Sequence, residues 1–452
     1  MKDSVSNEQP LVIIGNGISG ITCARHARKR SKRPIVVISA ETEHFFSRTA
    51  LMYIYMGHMK YEHTKPYEDW FWEKSNITLM RKYVERIDAA ERELFFADGT
   101  RMFYGELVLA TGSKSNFFNW PGQELKGVQG LYSFQDLESM EVNTKGISRA
   151  VVVGGGLIGV EMAEMLHSRG IHVTFLVRES SFWRNVLPAE ESALISRHIR
   201  EHGIDLRLNT ELKEILADEN GRVRAVVTAS GEEIACQFAG ITVGVSPNTT
   251  LAKESGIAVD RGILVNEFFE TETPGVFAIG DCAQYKTPPS GRRAIEPLWY
   301  TGRFHGETLA LTLTGRRTAY QPGPWFNSAK FFDIEYQTYG DVKPNAAENE
   351  HTFYWEHKNG KISFRAVYNA ADKTLTGINV FGMRMRHELF DRWLKHRKKV
   401  DYVIQHLNDA AFDPEFYRTF ENEIAEAFSK QTGTTVQPLK KSWHRILNRH
   451  TL

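Results

Sequence analysis

Short apolar runs alternate with helix-period stretches through the first half of the chain. Leu11 to Ile14 reads as a strand, GNGISG (Gly15 to Gly20) as a turn, ISGITCARHARKR as a helix and Ile35 to Ser39 as a second strand. An apolar run of this length, closed by glycine, fits a strand covered on both faces, and the order predicts a parallel βαβ unit. The same pattern returns in Ala150 to Val153, GGGLIG (Gly154 to Gly159), the helix VEMAEMLHSRG and the strand His172 to Val177. This is a duplicated supersecondary unit, not a short-period repeat. Between the two lie a turn, ADGT at 97–100, and an apolar strand, Glu106 to Gly112. Strand-rich stretches follow, among them GRVRAVVTASGEEIAC, ITVGVSPNT and GVFAIGDCA. Past Gly315 an aromatic segment with strand alternation, YQPGPWFNSAKFFDIEYQTYG, marks a further domain. From about Asp413 the chain reads as a helix (PEFYRTFENEIAEAFSKQ) and then a basic end.

Composition narrows the class. The 452 residues suit about three domains at roughly 150 residues each. A net charge of +1 excludes a global field for nucleic acid or an anionic membrane. Cys23, Cys236 and Cys282 are too scattered for a disulfide scaffold or a CxxC pair. The first ten residues are polar, and no apolar run nears the ~18–20 residues of a spanning helix. The expected location is cytoplasmic. The histidines are read as scattered, with no metal site expected, and only His387 sits beside a dense charged cluster.

A GxGxxG between strand and helix has a mechanical purpose. Gly15 allows the tight turn, Gly17 lets backbone approach a pyrophosphate, and Gly20 lets the helix pack on its strand. Glu41 follows Gly20 by 21 residues, where an acid binds ribose hydroxyls. The second unit has Val177 at that place, followed by Arg178 and, further on, Arg184. Arginines there would bind a 2′-phosphate that an acid would repel, which favours NADPH over NADH, with NAD still possible. Two such loops imply two dinucleotides, one to bring a hydride and one to receive it, as a flavin facing a nicotinamide would.

With GNGISG, ISAETEHFFSR, LVLATGS, VVVGGGLIGVEMAE and VFAIGDCA in this order, the sequence resembles the FAD-dependent pyridine nucleotide–disulfide oxidoreductase superfamily. It is most similar to the single-flavin branch of rubredoxin and ferredoxin reductases, coenzyme A disulfide reductases and nitrite reductase flavoproteins. The resemblance implies an α/β fold: two Rossmann-like, three-layer ββα domains for FAD and NAD(P), plus an α+β C-terminal interface domain. The implied FAD domain is discontinuous, 1–115 and 240–318. The NAD(P)H domain is 116–239, the dimerisation domain 319–425 and the basic tail 426–452.

By the same resemblance, Gly15, Gly17, Ile18, Ser19, Gly20, Glu41 and Arg48 would hold the FAD diphosphate and adenosine end. Val84, Ala110, Thr111, Gly112, Gly280 and Asp281 would line the rest of the flavin nucleotide, with Asp281 on its ribityl chain. Glu296, Pro297, Leu298 and Trp299 would cover the flavin edge. Gly154, Gly156, Leu157, Ile158 and Gly159 would cradle the nicotinamide dinucleotide, with Gly244 lining its channel and Glu161 reaching the carboxamide. Two departures stand out. HFFSRTALMYIYMG, after the ribose glutamate, lacks the redox cysteine, so disulfide reduction is not expected. Where rubredoxin-reductase-like proteins have RPPLSK, this chain has RTALMY, so Tyr53 stands in place of the lysine that would pair with Glu161. Glu161, Tyr53 and Trp299 are the candidate catalytic residues.

The expected activity is hydride transfer from NAD(P)H to FAD, with electrons leaving to an iron–sulfur or rubredoxin-type carrier or to a small acceptor. A homodimer is expected, with Trp325, Phe326, Phe331, Phe332, Tyr336 and Tyr339 in core and dimer contacts. A solvated face is the first reading of the basic run Arg25 to Arg33, and a carrier-docking patch the second. Two other functional readings remain: a low-turnover redox-sensing flavoprotein, and a quinone reductase held to a membrane by the segment 440–452.

Overall fold

Leu11–Ile14 is the central strand of a five-stranded parallel sheet in the computed structural model, which describes residues 9–289, 291–412 and 418–439. The sheet order is Val276–Ala278, Glu106–Leu109, Leu11–Ile14, Ile35–Ser39 and Ile77–Arg81, every neighbouring pair parallel. Leu11, Val12 and Ile13 are wholly buried, as a parallel sheet covered on both faces requires. From Leu11–Ile14 the chain first adds strands on one side and later on the other. The carboxyl ends of Leu11–Ile14 and Glu106–Leu109 therefore flank a topological switch point, where open α/β sheets bind ligands.

The chain divides into two compact units. One takes the described residues of 1–154, 162–174 and 212–321, the other those of 155–161, 175–211 and 322–452. Besides the central sheet, the first unit holds a parallel set of Arg149–Val153, Phe238–Ile241 and Val128–Gln129. It also holds two three-stranded antiparallel sheets, Val84–Asp88 with Glu93–Phe96 and Arg101–Phe103, and Leu212–Ala217 with Val223–Thr228 and Glu233–Ala235. Helix Ile18–Arg28 packs along helix Trp299–Thr312.

The second unit is built on a five-stranded antiparallel sheet, ordered Phe326–Phe331, Ile334–Gly340, Leu375–Phe381, Ser363–Asn369 and Glu350–Glu356. Helices His387–Lys395, Val400–Gln405 and Glu421–Thr432 contribute Phe390, Val403 and Phe428 to its core. Helix Ala189–Glu201 is tied to the sheet by a buried ion pair: Arg365 Nε donates to Glu191 Oε1 at 3.0 Å and Nη2 to Glu190 Oε2 at 2.8 Å. Phe331, Phe332, Tyr336 and Tyr339 are core residues, whereas Trp325 and Phe326 are half-buried.

Several expected bounds move. The strand expected to Gly112 ends at Leu109, because the chain turns and Gly112 takes φ +69°. The helix read from residue 414 has its described start at Glu421, and residues 413–417 lie outside the described part. The 425/426 boundary expected from sequence falls inside that helix. The basic segment 440–452 also lies outside the described residues. In the basic run, Arg25 stacks on Tyr67 at 4.4 Å, Arg28 donates to the carbonyls of Ser31, Arg33 and Asn76, and Arg33 pairs with Glu106. Lys29, Arg30 and Lys32 are the exposed members. Among the described residues, no helix is long and apolar enough to cross a membrane.

Candidate functional site

The three glycines of the first turn differ in what surrounds them. A Cβ on Gly15, which takes φ +114°, would lie 2.1 Å from the Ala110 carbonyl oxygen. A Cβ on Gly20 would lie 2.0 Å from the Gly15 oxygen. Around Gly17 nothing comes within 4 Å. Gly17 is also the N-cap of helix Ile18–Arg28, and no side chain caps its first turn. Those free N–H groups beside open space fit a diphosphate. Ser19 sits where the turn at Gly280 and helix Trp299–Thr312 close on its own helix: a Cβ on Gly280, Gly302 or Gly306 would come within 2.6 Å of its Oγ or carbonyl oxygen. Sequence reasoning missed Gly302 and Gly306, although GRFHG shows the small-residue spacing that lets two helices approach.

A polar network lies beyond these strand ends. Arg48 grips Glu41 with two bonds, Nη1 to Oε1 at 2.8 Å and Nη2 to Oε2 at 2.6 Å, while the Phe134 amide donates to Oε1 at 2.8 Å. The same guanidinium lies over the Tyr132 ring at 4.6 Å and donates to the Tyr132 carbonyl at 2.6 Å. Burial lowers the Arg48 pKa, but the Glu41 contacts outweigh it and the net shift is upward. The Tyr132 hydroxyl accepts the Ser113 amide at 2.9 Å and donates to Asp281 Oδ2 at 3.4 Å, where the Ser113 hydroxyl also donates at 3.2 Å. Burial raises the Asp281 carboxyl above its ordinary value, and these donors oppose the rise. Tyr132 had no sequence signal, and Ser113, though it closes the LVLATGS motif, was not singled out, since each acts through a partner distant in the chain.

Gly280, with φ +77°, begins the turn that carries Asp281. Its amide donates to Nδ1 of the buried His305. Thr111 Oγ1 donates to the Asn248 carbonyl at 2.7 Å, and Ala110 is buried. Val84, assigned to the flavin from sequence, has its side chain in the hydrophobic core. Glu296 is buried and held by Arg292 at 2.7 Å. Pro297 is exposed, Leu298 is the N-cap of helix Trp299–Thr312, and Trp299 packs edge-on against Tyr300. Tyr53 stacks parallel to His58 at 6.2 Å.

The second glycine turn repeats the mechanics. In the first unit Gly154 takes φ +119° and a Cβ there would lie 2.4 Å from the Thr242 oxygen. Gly244 takes φ +96° near Asn116. In the other unit a Cβ on Gly156 would meet nothing within 4 Å, Leu157 and Ile158 are half-buried, and Gly159 is buried. The two arginines after this turn behave differently. Arg178 is exposed beside Glu179 at 3.2 Å. Arg184 is turned to the carbonyls of Leu187 and Pro344, each at 3.4 Å, and to Asn345 Oδ1 at 3.2 Å.

All three cysteines are buried. Burial raises the thiol pKa of Cys23 and Cys282 and pushes Cys236 up to about 12, so none is a thiolate near neutrality. The reading of the histidines is corrected. His198 and His202 stand four residues apart and converge with Asp333.

The family of pyridine nucleotide-disulphide oxidoreductases matches residues 9–303. The chain belongs to that family. Like other pyridine nucleotide-disulphide oxidoreductases of its type, it is an FAD-dependent NAD(P)H oxidoreductase by class, and it lacks the redox cysteine in HFFSRTALMYIYMG. It is 32% identical to rhodocoxin reductase of Rhodococcus erythropolis over 71% of this chain and 76% of that protein. It is 31% identical to a nitrite reductase [NAD(P)H] of Bacillus subtilis (strain 168) over 62% of this chain, spanning only 35% of that protein. In fold it matches a ferredoxin reductase from Rhodopseudomonas palustris with a TM-score of 0.77 and 24% identity, over 93% of this chain and 100% of that one.

Proposed function

We propose that this family member accepts a hydride from NAD(P)H onto FAD and delivers electrons to an iron–sulfur or rubredoxin-type protein. The observation that carries the reading is the open middle glycine in both strand–turn–helix units, Gly17 and Gly156, in a chain without an accessible thiol. Bound FAD supplies a ring that takes two electrons as hydride and can release them singly. The chain's own contribution is positioning, which needs no acid–base triad. Gly17, Ile18 and Ser19 would present the unpaired N–H groups of the first helical turn to the diphosphate, while Gly15, whose own N–H is donated to the Ile38 carbonyl, and Gly20 let turn and helix close around it. Glu41 Oε2 accepts one Arg48 bond, which leaves it a lone pair for a ribose hydroxyl, and Arg48 fixes the carboxylate's plane. Asp281, held by Tyr132 and Ser113, accepts from the ribityl hydroxyls.

Gly154, Gly156, Leu157, Ile158, Gly159, Gly244 and Glu161 serve the nicotinamide dinucleotide in the same reading, and Arg178 favours its 2′-phosphate. The relative named a rhodocoxin reductase supports a protein acceptor. The proposed organisation keeps FAD segments 1–115 and 240–318, an NAD(P)H segment 116–239 and a dimerising segment 319–425, in a cytoplasmic homodimer. Anaerobic rapid mixing with NADPH tests the reading. Flavin absorption should bleach within seconds, and more slowly with NADH. A yellow protein that stays oxidised with both donors would overturn it.

A further inference from the structure

Helix Ala189–Glu201 carries His198 near its end, and His202 is its C-cap. Four residues apart on a helix, two side chains lie on one face. Opposite them is Asp333, in the two-residue turn between strands Phe326–Phe331 and Ile334–Gly340. The preceding Phe332 takes φ +53° and lays its ring parallel to His202 at 4.3 Å. One ligand atom from each of His198, His202 and Asp333 lies within 4.8 Å of the other two.

The state of the two rings is what points to a ligand. His198 is 1% exposed, and both its ring nitrogens face carboxylates, Nδ1 the Glu201 Oε2 at 3.6 Å and Nε2 the Asp333 Oδ1 at 2.5 Å. The Nε2–Asp333 contact is closer than an unshared pair of ligand atoms would normally stand. An imidazole and a carboxylate crowded together in a buried place are accommodated when a cation lies between them. His202 Nδ1 faces the His198 carbonyl oxygen at 3.0 Å, which can only accept, so Nδ1 carries the proton. Nε2 is then the unprotonated nitrogen, and it lies 3.5 Å from Asp333 Oδ1. A backbone carbonyl fixing one nitrogen while the other is bare is the orientation of a metal-ligating histidine. Lys361 occupies only the other oxygen, Oδ2, at 3.2 Å, leaving Oδ1 to face the rings.

We propose that His198, His202 and Asp333 bind a divalent cation of the Zn2+ class, with water in the fourth position. Two imidazoles and a carboxylate suit a borderline ion over Mg2+ or Ca2+. Bonds of about 2.0–2.1 Å to a tetrahedral ion separate ligand atoms by roughly 3.4 Å. The His202–Asp333 spacing already meets this, and rotation of the exposed Asp333 side chain opens the closer His198 contact. The ion would staple the helix to the hairpin within one compact unit, independently of the flavin chemistry.

The test uses the full flavin-loaded chain after dialysis against a chelator, titrated calorimetrically with Zn2+ and melted with and without it. One Zn2+ per chain and a raised Tm are expected, and Co2+ should give the visible d–d bands of four-coordination. His202→Asn and Asp333→Asn, both at solvent-accessible positions, should each weaken Zn2+ binding by at least about tenfold. Both should keep the flavin content and metal-free Tm of the parent. Absent Zn2+ binding, or binding that survives both substitutions unchanged, would overturn the proposal.

Discussion

His305 gives its Nε2 proton to the Tyr285 hydroxyl at 2.8 Å. The assignment follows from the other nitrogen, Nδ1, which accepts the Gly280 amide at 3.2 Å. The ring is therefore neutral in the fold, and burial pushes its pKa down from 6.5 to about 3. This buried imidazole braces the turn that carries Asp281.

A pH dependence follows. The unfolded chain takes up a proton at His305 near 6.5 while the folded chain resists it to about 3. Unfolding thus binds more protons in that window, so stability is complete above it and falls as pH drops through it. Denaturant midpoints for the parent and His305→Gln, measured from neutral pH downward, should show a shallower acid decline in the variant. Equal slopes would remove His305 from the account.

The glycines of the first turn should separate folding from cofactor retention. Gly20→Ala drives a methyl into the Gly15 carbonyl at 2.0 Å and should cost about 1–3 kcal/mol of stability. Gly17→Ala meets no protein atom, so the fold should persist while the methyl blocks the diphosphate's approach. Flavin-to-protein absorbance ratios and Tm values of the two variants distinguish these outcomes.

Tyr132 and Asp281 should act together on flavin affinity. Tyr132→Phe removes one donor from the Asp281 carboxylate and unpairs the Ser113 amide, at a cost of about 1–3 kcal/mol. Fluorimetric FAD titration of apoprotein should show roughly five- to hundredfold weaker binding. Asp281→Asn should weaken it too, and the double variant by less than the sum, since the residues share one network.

The Glu191–Arg365 pair should behave as a buried ion pair. Burial pushes the Glu191 carboxyl up to about 7, with Arg365 and Asn379 pulling it down. Arg365→Met strands the carboxylate and should destabilise by about 3–5 kcal/mol. Adding Glu191→Leu should recover much of that loss in urea unfolding.

Much of the site was legible because its signals are local. Gly15 and Gly20 reveal themselves by spacing alone, since a strand, a tight turn and a helix need glycine at fixed offsets whatever lies elsewhere. The strands Leu11–Ile14 and Ile35–Ser39 appear where the apolar runs lie, because full burial leaves no polar position to alternate. Arg184 shows the reach of non-local contacts. Its position after the strand is local, but the Pro344 carbonyl that engages it comes from 160 residues away.

Periodicity and glycine stereochemistry, both set within a few neighbouring residues, determined the two βαβ units and the family of this chain. Only the tertiary structure decided that Tyr132 and Ser113 support Asp281, that His305 braces Gly280 and that His198 and His202 meet Asp333. Those groups act through contacts between distant segments, and whether two strand ends or a helix and a hairpin meet depends on packing that no short stretch of sequence encodes.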